Sequence, residues 1–478
     1  MAFFNRKDEL AALSERLRSD RGEYFVLYGR RRVGKSELLR HFGESCRQFY
    51  FEASAGSRRD QLDDLGAELS QFSGRALYAE QPLSNWRAAF AAFSELLEGG
   101  QTMIVLDEFQ FIARQEPEIG SLLNRFVSEH GDNPDLFLCL SGSDISFFER
   151  KVVGYGATTY GRRTGSLRLL PFHWREIGAF VPDWSIEGRI RAWAVFGGIP
   201  YYLKEIDPAE SLPETIRRAI LYPDGLLREE PRFLLSQESR LREQATYMSC
   251  LRAIAGGDTR LNEIAQRVGR SAPEARAFLE VLEEMGLVER RYPVTRTSGR
   301  KVSYAIVDPF LRFWFRFVAP RESRLATRRD ADRYLEESVM PELDKFVSED
   351  AFERICQDWL GDQLGAAEVG WWWGSIRRRQ NGKLRNSTYE ADAVAVDADG
   401  RVMALGSCKW PGAGNNRHLH EAGELDKLET IREELEAPDA ALYFFDRVGF
   451  SPRLQELASE REDVHLVSVG ELEPAARM

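Results

Sequence analysis

The sequence predicts an α/β protein of several domains, and three observations carry that reading. A β-branched and aromatic run at residues 23–28, EYFVLY, leads directly into GRRRVGKS and then into ELLRHFGESC, whose apolar spacing suits a helix. A second apolar run, TMIVLDEF at 102–109, ends in two carboxylates, as buried parallel strands commonly do. From Phe346 onward the pattern restarts as an amphipathic helix followed by three strand-like runs, a helix and a strand. At 478 residues the chain is too long for a single core.

The first element explains itself chemically. G-x-x-x-x-G-K-S between a strand and a helix is a phosphate loop. Gly29 and Gly34 let backbone N–H groups turn toward phosphate oxygens without a Cβ in the way. Lys35 reaches the β- and γ-phosphates, Ser36 offers its hydroxyl to Mg²⁺, and the helix start adds its positive dipole end. The predicted nucleotide contacts are therefore Gly29, Arg30, Arg31, Arg32, Val33, Gly34, Lys35, Ser36 and Glu37, with ATP and Mg²⁺ as cofactors. The second element completes a hydrolytic site: Asp107 holds the magnesium with Ser36, and Glu108 polarises the attacking water. A third strand, DLFLCL at 135–140, runs into SGSD. Ser141 or Ser143 is a candidate γ-phosphate sensor there, a serine-rich turn being the alternative. Arg162 and Arg163 in YGRRTG are candidates for the arginine that stabilises transition-state charge, in cis or from a neighbouring subunit; a solvated surface pair is the alternative.

Composition sets the bounds. Hydrophobic residues make up 43% and charged residues 29%, as in ordinary soluble domains. No apolar run reaches membrane-spanning length and no signal-peptide pattern opens the chain, so a cytoplasmic protein is expected. The five cysteines are scattered without a CxxC pair, which excludes a zinc or disulfide framework reading. A net charge of −11 argues against a uniform nucleic-acid coat but not against local basic patches.

The set GRRRVGKS, VLDEF, LSGSD, YGRRTG…LLPF and FGGIPYYL (196–203) resembles the archaeal-type ATPases of the AAA+/STAND class, many of which carry a C-terminal PD-(D/E)XK nuclease-like domain. The resemblance covers most of the chain in order. It implies an N-terminal segment, here Asn5 and Arg6, in contact with the adenine, and a lid turn, here Gly198 and Pro200, packed near it. It also implies ATP hydrolysis.

The implied domains run 1–172 for the P-loop NTPase core, 173–240 for a helical lid, 241–307 for a winged helix, 308–345 for linker helices and 346–478 for the nuclease-like domain. The winged helix follows from the residues themselves: two helical runs, a turn, a third helix opened by Ser271 and Glu274 at capping-box spacing, and a hairpin. Its third helix carries Glu274, Glu280, Glu283 and Glu284 against Arg276, which disfavours base reading. Arg290, Arg291, Arg296, Arg300 and Lys301 in the wing suit a grip on a phosphate backbone, a structural lid that reports the nucleotide state being the alternative reading of the module. The aromatic run DPFLRFWFRFVAP (308–320) predicts an interdomain helix or a dimer surface.

In the last domain, alternation along EADAVAVD puts Glu390 and Asp392 on one face, and Lys409 follows on the next strand. Asp392 and Lys409 are the candidate catalytic pair, with Glu353 or Glu390 as a further carboxylate. Related domains read GECKW where this chain reads GSCKW, so Ser407 stands at the usual carboxylate position. The basic run Arg377, Arg378, Arg379, Lys383 and Arg385 suits DNA or a solvated loop. Three functions fit: an ATP-driven switch or remodeller coupling nucleotide state to a DNA-associated C-terminal domain, a regulatory signalling ATPase with an inactive interaction module, and an ATP-gated metal-dependent DNA nuclease. A homo-oligomer fits each of them.

Overall fold

The computed structural model describes residues 3–155, 161–236, 243–295, 302–380, 383–412 and 421–473; the side chains of residues 379, 380, 383 and 384 are outside the description. Arg296, Arg300 and Lys301 of the wing lie outside the described residues. The chain divides into two units. The first comprises residues 1–171 with two short excursions, 199–201 and 284–286; the second comprises the remainder.

The first unit is a parallel sheet with helices on both faces. Its strands are β1 (Glu23–Tyr28), β2 (Gln48–Glu52), β3 (Thr102–Asp107), β4 (Leu136–Gly142) and β5 (Gly165–Arg168), in the order β2-β3-β4-β1-β5, all parallel. β1, β3 and β4 are buried along their whole length, which is why they read as unbroken apolar runs. The order matters for the site. β4 lies between β1 and β3, so the loop after β1, the carboxylates after β3 and the serines ending β4 gather at one carboxyl edge.

The second unit begins with short helices and then forms the winged helix. Helices Gln244–Ala255, Leu261–Val268 and Ala272–Glu284 precede a hairpin of β6 (Val288–Arg291) and β7 (Ser303–Ile306). The Ser271 amide donates to Glu274 at 2.9 Å, as the capping-box spacing predicts. The aromatic run is interior: Phe310, Phe313, Trp314 and Phe315 are fully buried, and the Trp314 indole donates to the Arg228 carbonyl at 2.7 Å. Burial on this scale excludes the dimer-surface reading.

The C-terminal sheet contains β8 (Glu368–Gln380), β9 (Lys383–Val396), β10 (Val402–Lys409), β11 (Ala441–Asp446) and β12 (Val464–Ser468), in the order β12-β11-β10-β9-β8. β8, β9 and β10 are antiparallel, while β10, β11 and β12 are parallel. The structure adds one helix, Pro452–Glu460, and one strand to the expected order.

One buried ion network joins these parts of the second unit. Asp350, at φ 95°, accepts from Arg291 of β6, from Arg354 at 3.1 Å and from Arg312 at 3.2 Å. The Arg291 guanidinium also lies 3.9 Å above the Trp371 ring and 2.8 Å from Glu289. Arg290 is likewise engaged, with Glu283 at 2.7 Å and Glu280 at 3.3 Å. Arg290 and Arg291, two of the wing residues expected to grip a DNA backbone, are therefore neutralised by carboxylates of their own unit. Burial alone would push the Asp350 carboxyl up, but Arg291, Arg354 and Arg312 together hold it well below the usual carboxylate range. Its folded pKa lies below its unfolded one, so the network's stabilisation is present above about pH 4 and drains as pH falls below that. We expect Asp350→Asn to lower stability by about 3–5 kcal/mol at neutral pH, because three arginines lose a shared partner. Urea unfolding at pH 7 and at pH 3 checks both points. A loss under about 1 kcal/mol at pH 7, or one undiminished in acid, contradicts the network's importance.

Candidate nucleotide and C-terminal sites

The phosphate loop follows β1 and ends on the helix Lys35–Gly43, with Gly34 at φ 96° as its N-cap. A side chain at Gly29 would meet the Leu169 carbonyl at 2.4 Å, so that position is closed to anything larger. Arg32 takes a left-handed φ of 67° and lays its guanidinium 3.9 Å from the Tyr201 ring centroid. Pro200 comes within 3.6 Å of the Cβ position at Gly34. Both residues belong to the 199–201 excursion, so the lid turn packs on the loop itself.

Lys35 is buried, and its ammonium donates to the Gly29 carbonyl at 2.9 Å and the Arg30 carbonyl at 3.0 Å. Burial lowers its pKa although Glu108 and Asp107 oppose the shift. Ser36 donates to Asp107 Oδ2 at 2.6 Å. The same oxygen accepts from the Tyr50 hydroxyl of β2, while Asp107 Oδ1 accepts from the Glu108 amide at 2.9 Å. Glu108 stands at a left-handed φ of 50° immediately after β3. Its carboxylate accepts from the Ser143 hydroxyl at 2.7 Å, the Ser143 amide at 3.3 Å and the Gln110 amide. Ser141 is wholly buried inside β4, so Ser143 is the serine placed at the site.

Three expected residues stand elsewhere or in other roles. Arg6 is buried and donates to the Val33 carbonyl at 3.1 Å and the Leu170 carbonyl at 2.9 Å. It clasps the phosphate loop to the end of the first unit, with Asn5 beside it at φ 52°. The pair Arg162 and Arg163 is not at the loop. Thr164 donates to the Tyr24 carbonyl at 2.8 Å and β5 runs parallel to β1, which puts both arginines at the amino end of β1, roughly 15 Å of strand from the loop. Arg163 meets the Val153 carbonyl and Arg162 the Asn124 carbonyl, so neither is placed as an arginine finger in cis.

Sequence reading missed Tyr50 and Gln110. Gln110 sits two residues past Glu108, a local signal. Tyr50 reaches Asp107 only through the pairing of β2 with β3, which no local pattern encodes.

In the C-terminal sheet, Asp392 of β9 accepts from the Cys408 amide at 2.7 Å and lies 3.6 Å from the Lys409 ammonium. Lys409 also lies 3.4 Å from Glu424, on the helix Glu421–Glu434. Glu424 accepts from Ser407 at 2.7 Å and pairs with Lys427 at 2.5 Å. Burial would lower the Lys409 pKa, but Asp392 and Glu424 raise it. Glu353 receives the Trp371 indole N–H at 2.6 Å; burial, then the charge of Asp392, push its carboxyl up to about 8. Glu390 is exposed. Among the described residues no three acidic, histidine or cysteine side chains converge on a metal position. Of the basic run, Arg378 pairs with Glu433 at 3.2 Å, while Arg377 and Arg385 are exposed. The side chains of Arg379 and Lys383 lie outside the described residues.

Comparison with known proteins agrees with this layout. Residues 3–206 match the family described as an ATPase domain predominantly from Archaea. Residues 248–291 match the IclR helix-turn-helix domain, and residues 314–421 match a family of archaeal and bacterial proteins of unknown function. An uncharacterized protein of Methanocaldococcus jannaschii is 29% identical over 418 residues, covering 85% of this chain and 87% of that one. An uncharacterized ATP-binding protein of the same organism is 44% identical over 43 residues, 9% of this chain and 73% of that one. The Walker-type ATPase of Pyrococcus abyssi has a similar fold, with a TM-score of 0.50, 23% identity, and coverage of 66% of this chain and 96% of that one. The chain thus carries an ATPase domain of the family found predominantly in Archaea, followed by a helix-turn-helix domain and a C-terminal segment of a family whose function is unknown.

Proposed function

We propose that this protein is an ATP-hydrolysing switch that couples nucleotide state to a DNA-associated C-terminal half. The supporting observation is the chain of bonds Ser36–Asp107, Asp107–Glu108 and Glu108–Ser143 at one sheet edge. The residues present suit MgATP. The Ser36 hydroxyl and the Asp107 carboxylate form the pair that would hold magnesium, which supplies charge neutralisation between the β- and γ-phosphates. Lys35 exchanges the two loop carbonyls for phosphate oxygens, a better partner for a buried cation. Glu108 orients the attacking water once it is freed from Ser143, and Ser143 is placed to follow the γ-phosphate position. The coupling reading rests on the two excursions. Residues 199–201 touch the loop at Gly34 and Arg32, and Gly286, which ends the excursion following the recognition helix, lies 3.9 Å from Arg30 at its Cβ position. Loop rearrangement on hydrolysis is thus passed to chain segments that continue into the lid and the wing.

A second reading, metal-dependent DNA cleavage by the C-terminal sheet, is favoured by one observation. Glu424 binds the Ser407 hydroxyl and lies near Lys409, so a carboxylate from a neighbouring helix stands beside the position that Ser407 leaves uncharged. Asp392 and Glu424 are the residues that would hold the ion, once Lys409 turns from between them toward a water or phosphate.

Two experiments follow. Lys35→Ala is expected to lose ATP binding, whereas Glu108→Gln should bind ATP within about threefold of wild type and hydrolyse it at least about 100-fold more slowly. Wild-type turnover in Lys35→Ala would sink the ATPase reading. With supercoiled plasmid and Mg²⁺ or Mn²⁺, the second reading expects nicking that both Asp392→Ala and Glu424→Gln abolish. Nicking indifferent to these changes, or none under any nucleotide condition, removes the second reading and leaves the first.

A further inference from the structure

A cavity of about 760 Å³ lies within the second unit, between the winged helix and the C-terminal sheet. One wall presents Arg260, at the start of the helix Leu261–Val268, Arg276 of the recognition helix, and Tyr292 just past β6. The facing wall presents Trp373 of β8 with Glu390 and Asp392 of β9. Arg260 and Arg276 are exposed, and none of the described carboxylates pairs with either guanidinium group; Glu263 accepts only from the Arg260 backbone amide, at 3.0 Å. They differ in this from Arg290 and Arg291, whose guanidinium groups are consumed by Glu280, Glu283, Glu289 and Asp350. Tyr292 leaves 48% of its surface exposed, so part of its ring is open to a ligand.

The shape selects the occupant. A recognition helix reads duplex DNA by lying in a major groove about 12 Å wide, its exposed side chains turned to the bases. Arg276 turns instead into a space closed on its far side by β8 and β9. Pockets of roughly 300–1,000 Å³ suit small ligands, so this one admits a nucleotide or two and excludes a double helix. Cationic side chains with an exposed aromatic ring are the combination that binds single strands, through phosphate pairing and base stacking. The acidic wall opposite repels phosphate and accepts from base N–H groups, the thymine imino N–H among them, which fixes the direction in which a nucleotide enters.

We propose that this cavity binds single-stranded DNA, with Arg260 and Arg276 on the phosphates and Tyr292 and Trp373 stacking on a base. The proposal rests on the reading of a DNA-associated C-terminal half and names the form of DNA it takes. The test uses the full-length protein and a fluorescent oligothymidylate of about a dozen nucleotides, with a blunt duplex of equal length as comparator. The single strand is expected to bind at least about tenfold more tightly than the duplex. Combining Arg260→Ala with Arg276→Ala should weaken binding at least about tenfold and reduce the salt slope by about 1.4, two phosphate contacts' worth. Tyr292→Ala should weaken binding about fivefold or more with the salt slope unchanged. Where DNA binds, three results overturn the proposal: duplex bound as tightly as single strand, binding indifferent to all three substitutions, or free thymidine monophosphate competing at the strand's own affinity. The first two leave the DNA-associated reading intact. Failure of every DNA form to bind overturns both.

Discussion

Asp107 has no solvent exposure, and three donors converge on its two oxygens: the Ser36 and Tyr50 hydroxyls and the Glu108 amide. A buried carboxylate without such partners would cost several kcal/mol, so these bonds are a condition of folding as well as of chemistry. Through them one side chain fixes the first helical turn after the phosphate loop, the neighbouring strand β2 and the backbone that carries Glu108. The strand order makes this possible. Because β4 separates β1 from β3, Asp107 reaches Ser36 across the end of β4, and Glu108 meets Ser143 at that same edge.

Backbone strain collects at the same place. Of the non-glycine residues with positive φ among those described, Asn5, Arg6, Arg32 and Glu108 all border the phosphate loop or its carboxylates. Each such conformation costs on the order of 1 kcal/mol or more and persists only where its surroundings hold it. Here the holders are visible: the Val33 and Leu170 carbonyls for Arg6, the Tyr201 ring for Arg32, and Ser143 with Gln110 for Glu108. In the proposed cycle one of these holders, Ser143, releases Glu108 when a nucleotide is bound. The strain is therefore placed where occupancy changes its cost.

The legible parts of the sequence were those whose cause is local. Strand, GRRRVGKS and helix lie within some twenty consecutive residues, and the capping box at Ser271 and Glu274 within four. Tyr50 and Glu424 were illegible because strand pairing and helix docking bring them in from 57 and 17 residues away. The charged residues misled for a related reason. Arg290 and Arg291 read as a DNA grip when only their own segment is considered, but Asp350 lies 59 residues downstream and cancels the charge of Arg291. For Arg162 and Arg163 the parallel direction of β5 decides against the role in cis, because it puts them at the far end of β1; a role toward a neighbouring subunit is a separate matter.

This distinction between consumed and unconsumed arginines has a functional consequence. Arg291, Arg312 and Arg354 surround Asp350 and tie the wing, the aromatic helix and the first C-terminal helix into one unit. Arg260 and Arg276 take no part in it and face the cavity that this tie defines. If Arg291 were free to bind a backbone, the wing would lose its tie to Asp350, whose buried charge would be left to Arg312 and Arg354 alone. The domain that looks like a duplex reader is thus committed, by its own ion pairs, to building one wall of a smaller site. A nucleic acid gripped there contacts the recognition helix and the Asp392 strand at once, a geometry suited to a switch whose output is felt in the C-terminal sheet.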